Sequence, residues 1–118
     1  MRIMYYRIYE TDEAIDDLSR IAISIYDYTR DKHSGEKFID TYSDAIETLY
    51  VFPTGFRGIC IEYRGYEIHI FPFGDYSIFF TVEPSNGIVI VLRVLHQKQN
   101  WQKIMALSGP YHIQGKII

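Results

Sequence analysis

With 118 residues and 47% apolar side chains, the chain has the size of one domain, expected over residues 1–118. At that length it buries roughly two-thirds of its unfolded surface. Fifteen acidic against twelve basic residues give a net charge of −3, the wrong balance for a protein that neutralises phosphates, and sequence-specific DNA binding is not expected. A lone Cys60 excludes an internal disulfide and any cysteine-based metal spacing, and no stretch approaches the ~20 apolar residues of a membrane span. The expectation is a cytoplasmic protein without membrane contact, cofactor or metal.

Residues 3–9 read as a first strand. Thr11 follows as a helix cap, with Asp12 and Glu13 placed where the helix dipole favours negative charge. Ala14, Leu18, Ile21, Ala22, Ile25 and Tyr28 recur at helical spacing, so this helix runs to about Arg30 or Asp31. Lys32 to Gly35 connect it, with Ser34 as the expected cap, to a second helix. There Phe38, Tyr42, Ala45, Ile46 and Leu49 share one face, and Pro53 sets the limit. So short a connection predicts an antiparallel hairpin that needs a sheet to cover.

The second half supplies that sheet. Expected strands are 56–62, interrupted by Gly58, then 66–71, 76–82 and 88–95, joined by a turn at Phe73-Gly74-Asp75 and a five-residue loop from Glu83 to Gly87. Asn100 caps a short helix from Trp101, Gly109-Pro110 ends it, and 109–118 is expected as a loose tail. The class is α+β: an N-terminal strand, a helical hairpin, a three- to four-stranded antiparallel meander and a short C-terminal helix.

Alternation along the strands assigns Tyr66, Ile68, Ile70, Tyr76, Ile78, Phe80, Val82, Ile88, Ile90, Leu92 and Val94 to the face under the hairpin. It leaves Glu67, His69, Phe71, Ser77, Phe79, Thr81, Val89, Val91, Arg93 and Leu95 on an open face. With the loops as read, Arg93 lies across from Ser77, Phe71 lies beyond it and His69 is diagonal to it. An apolar strip around a few charges suits partner binding. Its candidate contacts are His69, Phe71, Ser77, Phe79, Val91, Arg93 and Leu95. The competing reading for Arg93 is an internal salt bridge, with Glu67 as the candidate acid.

The runs Phe71-Pro72-Phe73-Gly74-Asp75-Tyr76-Ser77-Ile78-Phe79-Phe80 and Leu92-Arg93-Val94-Leu95-His96-Gln97-Lys98-Gln99-Asn100-Trp101 carry a resemblance to a known family. With Asp17-Leu18 and Ile21 in the first helix and Leu49, Pro53 and Gly55 after the second, the chain resembles the RelE/ParE superfamily of type II toxin–antitoxin toxins. Arg-Val-Leu-His followed by a polar stretch looks more like the ParE branch. The resemblance implies a plasmid-stabilisation type of toxin that inhibits DNA gyrase by binding. It implies silencing by a cognate antitoxin, whose apolar-studded helix or strand brings an acidic group to Arg93. ParE-like toxins commonly place an arginine where His69 stands, so this face is less cationic than in relatives.

Two alternatives stand beside it. A RelE-like toxin cleaves mRNA on the ribosome and needs a base, an acid and cations for the phosphorane charge. The candidates here are Glu67 or His69 as base, Arg93 as cation and His96 as acid. A decayed, non-toxic member would serve only as an interaction module.

Overall fold

The computed structural model describes residues 5–117, with side chains through residue 113; residues 3 and 4 of the first expected strand, and Ile118, lie outside that range. Strand β1 (Arg7–Thr11) passes directly into helix α1 (Asp12–Thr29). Thr11 is the hinge of that junction: its Oγ1 accepts from the Ala14 amide at 3.0 Å and donates to the Leu92 carbonyl at 2.7 Å. Arg30, with a left-handed φ of 55°, turns the chain, and Asp31 caps α2 (Lys32–Val51) by accepting from the His33 amide at 2.9 Å. The connection is therefore shorter than the expected Lys32–Gly35, and Asp31 takes the capping role assigned to Ser34. An aspartate at this position satisfies the free amides as well as a serine does.

The remaining elements are β2 (Gly58–Tyr63), β3 (Tyr66–Phe73), β4 (Tyr76–Glu83), β5 (Ile88–His96), α3 (Trp101–Leu107) and β6 (Ile113–Ile117). One six-stranded sheet has the order β2-β3-β4-β5-β1-β6, with β1 parallel to β5 and every other pair antiparallel. The meander thus has four strands, β2 to β5, the upper end of the expected three to four. The tail is not a loose end: β6 joins the sheet beside β1.

Register departs from expectation at two turns and a bulge. Phe73 pairs with Tyr76, so Gly74-Asp75 is a two-residue turn, with Gly74 at φ 56°; Glu83 pairs with Ile88 across a four-residue loop. Each loop is one residue shorter than expected, and a slip of one residue moves a strand's side chains to the other face. The extra residue Leu92, between the Phe80–Val91 and Phe79–Arg93 pairs, bulges β5 and shifts the parity back. Consequently Arg93 lies across from Phe79, Ser77 from Leu95, and Phe71 from Ile78.

Two cores result. Under the hairpin, Phe38, Tyr42 and Leu49 pack on Ile78, Phe80, Val82, Val89, Val91 and Val94, with Phe71 at the margin. On the second face, Ile68, Ile70, Phe79, Ile90, Leu92 and Leu95 lie under Met105, with Trp101, Ile104 and Tyr111 packed around them. Ile68, Ile70, Ile88, Ile90 and Leu92 are therefore on the face opposite to that expected, while Tyr76, Ile78, Phe80, Val82 and Val94 are where expected. Seven residues of the second core are buried. At about 1.5–3 kcal/mol per side chain, that burial makes α3 an integral layer. The expected open face is roofed by the chain itself.

Candidate functional site

The departure of β1 shapes the site. β1 pairs with β5 only from Ile88 to Val91, because the chain then turns into α1 at Asp12. The last part of β5 keeps β4 on one side and, among the described residues, has no strand on the other. Three side chains take the backbone groups left there. Thr11 Oγ1 donates to the Leu92 carbonyl at 2.7 Å; Asp17 Oδ2 accepts from the Val94 amide at 3.0 Å; Gln99 Oε1 accepts from the His96 amide at 2.9 Å. Alternate residues facing one edge is what a strand ladder dictates.

Asp17 is the centre of this arrangement. It occupies the apolar stripe of α1, three residues beyond Ala14, and is 4% exposed. Its carboxylate accepts from Arg93 Nε at 2.6 Å and Arg93 Nη2 at 2.9 Å, a two-point grip, and from Arg20 Nη2 at 2.8 Å. Arg93 Nη1 donates onward to Ser108 Oγ at 3.1 Å, tying β5 to the end of α3. The bonds to Asp17 hold the Arg93 guanidinium above its ordinary range, against the opposing effect of burial. The salt bridge anticipated for Arg93 exists, but its acid is Asp17, not Glu67.

Beside this network opens a cleft of about 400 Å³ between α1 and β5, lined by Arg20, Ile21 and Ser24 on one wall and Tyr76, Val94, Leu95, His96 and Gln99 on the other. The Arg20 side chain is 70% exposed at its mouth. The His96 ring lies edge-on to Tyr76, with centroids 5.1 Å apart, and its Nδ1 accepts from the Lys98 amide at 3.0 Å, which leaves Nε2 to carry the proton of the neutral ring. Burial, and then Asp75, push the Tyr76 hydroxyl up.

Of the expected contact residues, only Arg93 and Leu95 line this cleft. Ser77, Phe79, Val91 and Leu95 are buried at 3%, 0%, 0% and 3% exposure, and Phe71 stacks on Phe56 at 4.4 Å. His69 donates through Nδ1 to the Phe56 carbonyl at 2.9 Å and packs beside Phe80. The seven residues form no common surface, because the register that would align them does not occur.

The hypothetical acid–base set is not brought together either. Glu67 reaches outward to the edge strand, where its Oε2 accepts from the Cys60 amide at 3.3 Å. Glu67 and His69 stand on β3, two strands from Arg93, about 10 Å between backbones. Only Arg93 and His96 share the cleft. Sequence reasoning missed the parts played by Asp17, Arg20 and Gln99. The signal for Asp17 was present, since a carboxylate inside an apolar helical stripe needs a buried cation.

Compared with known families, residues 8–101 match the ParE toxin of the type II toxin–antitoxin system, parDE. This chain belongs to the ParE toxin family. The match runs from β1 through the start of α3 and so includes every wall of the cleft. No individual curated protein matches it significantly. The toxin family implies an antitoxin partner. Among the described residues no helix is long and apolar enough to cross a membrane.

Proposed function

We propose that this ParE-family toxin acts by binding DNA gyrase, without chemistry of its own, and that its antitoxin silences it by docking at the cleft between α1 and β5. The observation that carries the docking site is the unpaired end of β5 beside an exposed Arg20. Its amides at Val94 and His96 are held by side chains rather than by a strand, and a cation stands at its rim. The gyrase reading rests on family membership. The dispersal of Glu67 and His69 away from Arg93 supports binding over RNA cleavage, because Arg93 has no candidate base on β3 within reach and its guanidinium is engaged by Asp17 and Ser108.

A supercoiling assay with purified gyrase tests the target. Added toxin should halt supercoiling or accumulate cleaved DNA, and prior addition of antitoxin should prevent this. Undisturbed supercoiling, together with cut message from translating ribosomes, would overturn the reading in favour of a ribonuclease.

A further inference from the structure

The bonding pattern along the β5 edge says more than that a partner docks there; it says how the partner's chain runs. In an antiparallel pairing, one partner residue uses both the N–H and the C=O of the residue opposite; in a parallel pairing it bridges the C=O of one residue and the N–H two residues on. The antiparallel arrangement needs both groups of Val94 or both of His96; the His96 carbonyl accepts from the Gln99 backbone amide at 3.0 Å, and Asp17 holds the Val94 amide. Asp17 is itself gripped by Arg93 and Arg20 and is buried, so it does not yield that amide cheaply. The Val94 carbonyl faces the same edge by the alternation of the strand, and the His96 amide is held only by the exposed side chain of Gln99. Those two groups, one residue apart on either side of Leu95, are the pair a parallel strand uses.

We infer that the cleft receives an extended segment of the antitoxin as a parallel strand, continuing the direction of β1 along β5. One residue of the segment donates to the Val94 carbonyl and accepts from the His96 amide, displacing Gln99. An acidic side chain of the same segment meets Arg20. Charge selects an acidic segment. Arg20 and Arg93 share a single carboxylate in this cleft, Asp17, and the Arg20 side chain is 70% exposed. A helical partner would bond neither β5 group and would leave the His96 amide with Gln99. The inference rests on the antitoxin reading above and goes beyond it by fixing the partner's conformation, direction and charge.

The test uses the full-length toxin and the antitoxin encoded beside it, purified separately and mixed. Arg20→Glu should weaken the complex at least tenfold. Gln99→Ala should bind as tightly as the parent or several-fold more tightly, because it removes a competitor for the His96 amide. In the wild-type complex, hydrogen exchange at His96 should slow at least tenfold relative to the free toxin. A His96 amide that exchanges at the free rate, with Arg20→Glu still weakening the complex, would overturn the strand while leaving docking at the cleft intact; unchanged affinity in Arg20→Glu would overturn docking at the cleft and the strand with it. Weakening by Gln99→Ala would also overturn the strand, as the mark of a side-chain contact. Failure of the wild-type chains to associate would overturn the antitoxin reading and the strand with it.

Discussion

Replacing Asp17 by alanine gives the sharpest prediction for stability. The carboxylate is 4% exposed and accepts four hydrogen bonds, from Arg93 Nε and Nη2, Arg20 Nη2 and the Val94 amide. Its loss leaves the Arg93 guanidinium, 18% exposed, with Ser108 as its one side-chain hydrogen-bond partner among the described residues, and takes away the Asp17 bond of the Val94 amide. Removing one partner of a buried ion pair costs about 3–5 kcal/mol. At roughly 4 °C per kcal/mol for a chain of this length, Tm should fall by roughly 12–20 °C. Arg20→Ala is the control: an exposed arm of the same network should cost under about 1 kcal/mol. Replacing both members, Asp17→Leu with Arg93→Met, should recover much of the loss, because no uncompensated charge is left inside. Thermal melts followed by circular dichroism read all three variants. An Asp17→Ala protein melting within about 2 °C of the parent would refute the idea that this pair ties α1 to β5.

Tyr42 offers a test in pH. Burial, followed by the charge of Glu10 and the 2.5 Å bond to its carboxylate, pushes the Tyr42 hydroxyl well above the usual tyrosine range. The folded chain keeps that proton where the unfolded one loses it, near pH ~10. Stability from this group is therefore complete below that value and declines as pH rises above it. Tyr42→Phe should flatten the fall of Tm between about pH 9 and 11; an unaltered slope would contradict the assignment. Thr11→Ala removes both the α1 cap and the bond to the Leu92 carbonyl, and should cost about 2 kcal/mol in urea unfolding, with Thr11→Ser restoring most of it. Gly74→Ala meets no neighbouring atom within 4 Å but must adopt φ 56°, so a loss of about 1 kcal/mol with no change in binding is expected.

Helical elements were legible because their apolar stripes have one period and their ends carry caps, Thr11 and Asn100 among them. The strands were legible as strands, but not their faces. β4 is buried at every residue from Ser77 to Glu83 and β5 at most positions from Val89 to Leu95. A strand covered on both sides reads as a continuous apolar run, and alternation then carries no register information. Loop length had to decide instead. An error of one residue at Gly74-Asp75 and another before Ile88 turned two strands over, and the Leu92 bulge left no trace in composition. The same two-sided burial explains why an apolar second face looked like a partner surface, when Met105, Trp101 and Tyr111 cover it. For the site, Arg93 was recognisable as unusual within its strand. Its acid lies 76 positions earlier in sequence, and only the parallel placement of β1 brings the two together.

The most direct measurement is growth of cells carrying toxin and antitoxin together, with the toxin as wild type or as Arg20→Glu. Each toxin expressed alone should arrest growth, which confirms that the variant is folded and active. With antitoxin present, cells carrying the wild type should grow and those carrying Arg20→Glu should stay arrested, because the cation at the mouth of the cleft has become an anion. Full rescue of the Arg20→Glu strain by antitoxin would contradict the claim that silencing takes place at the α1–β5 cleft.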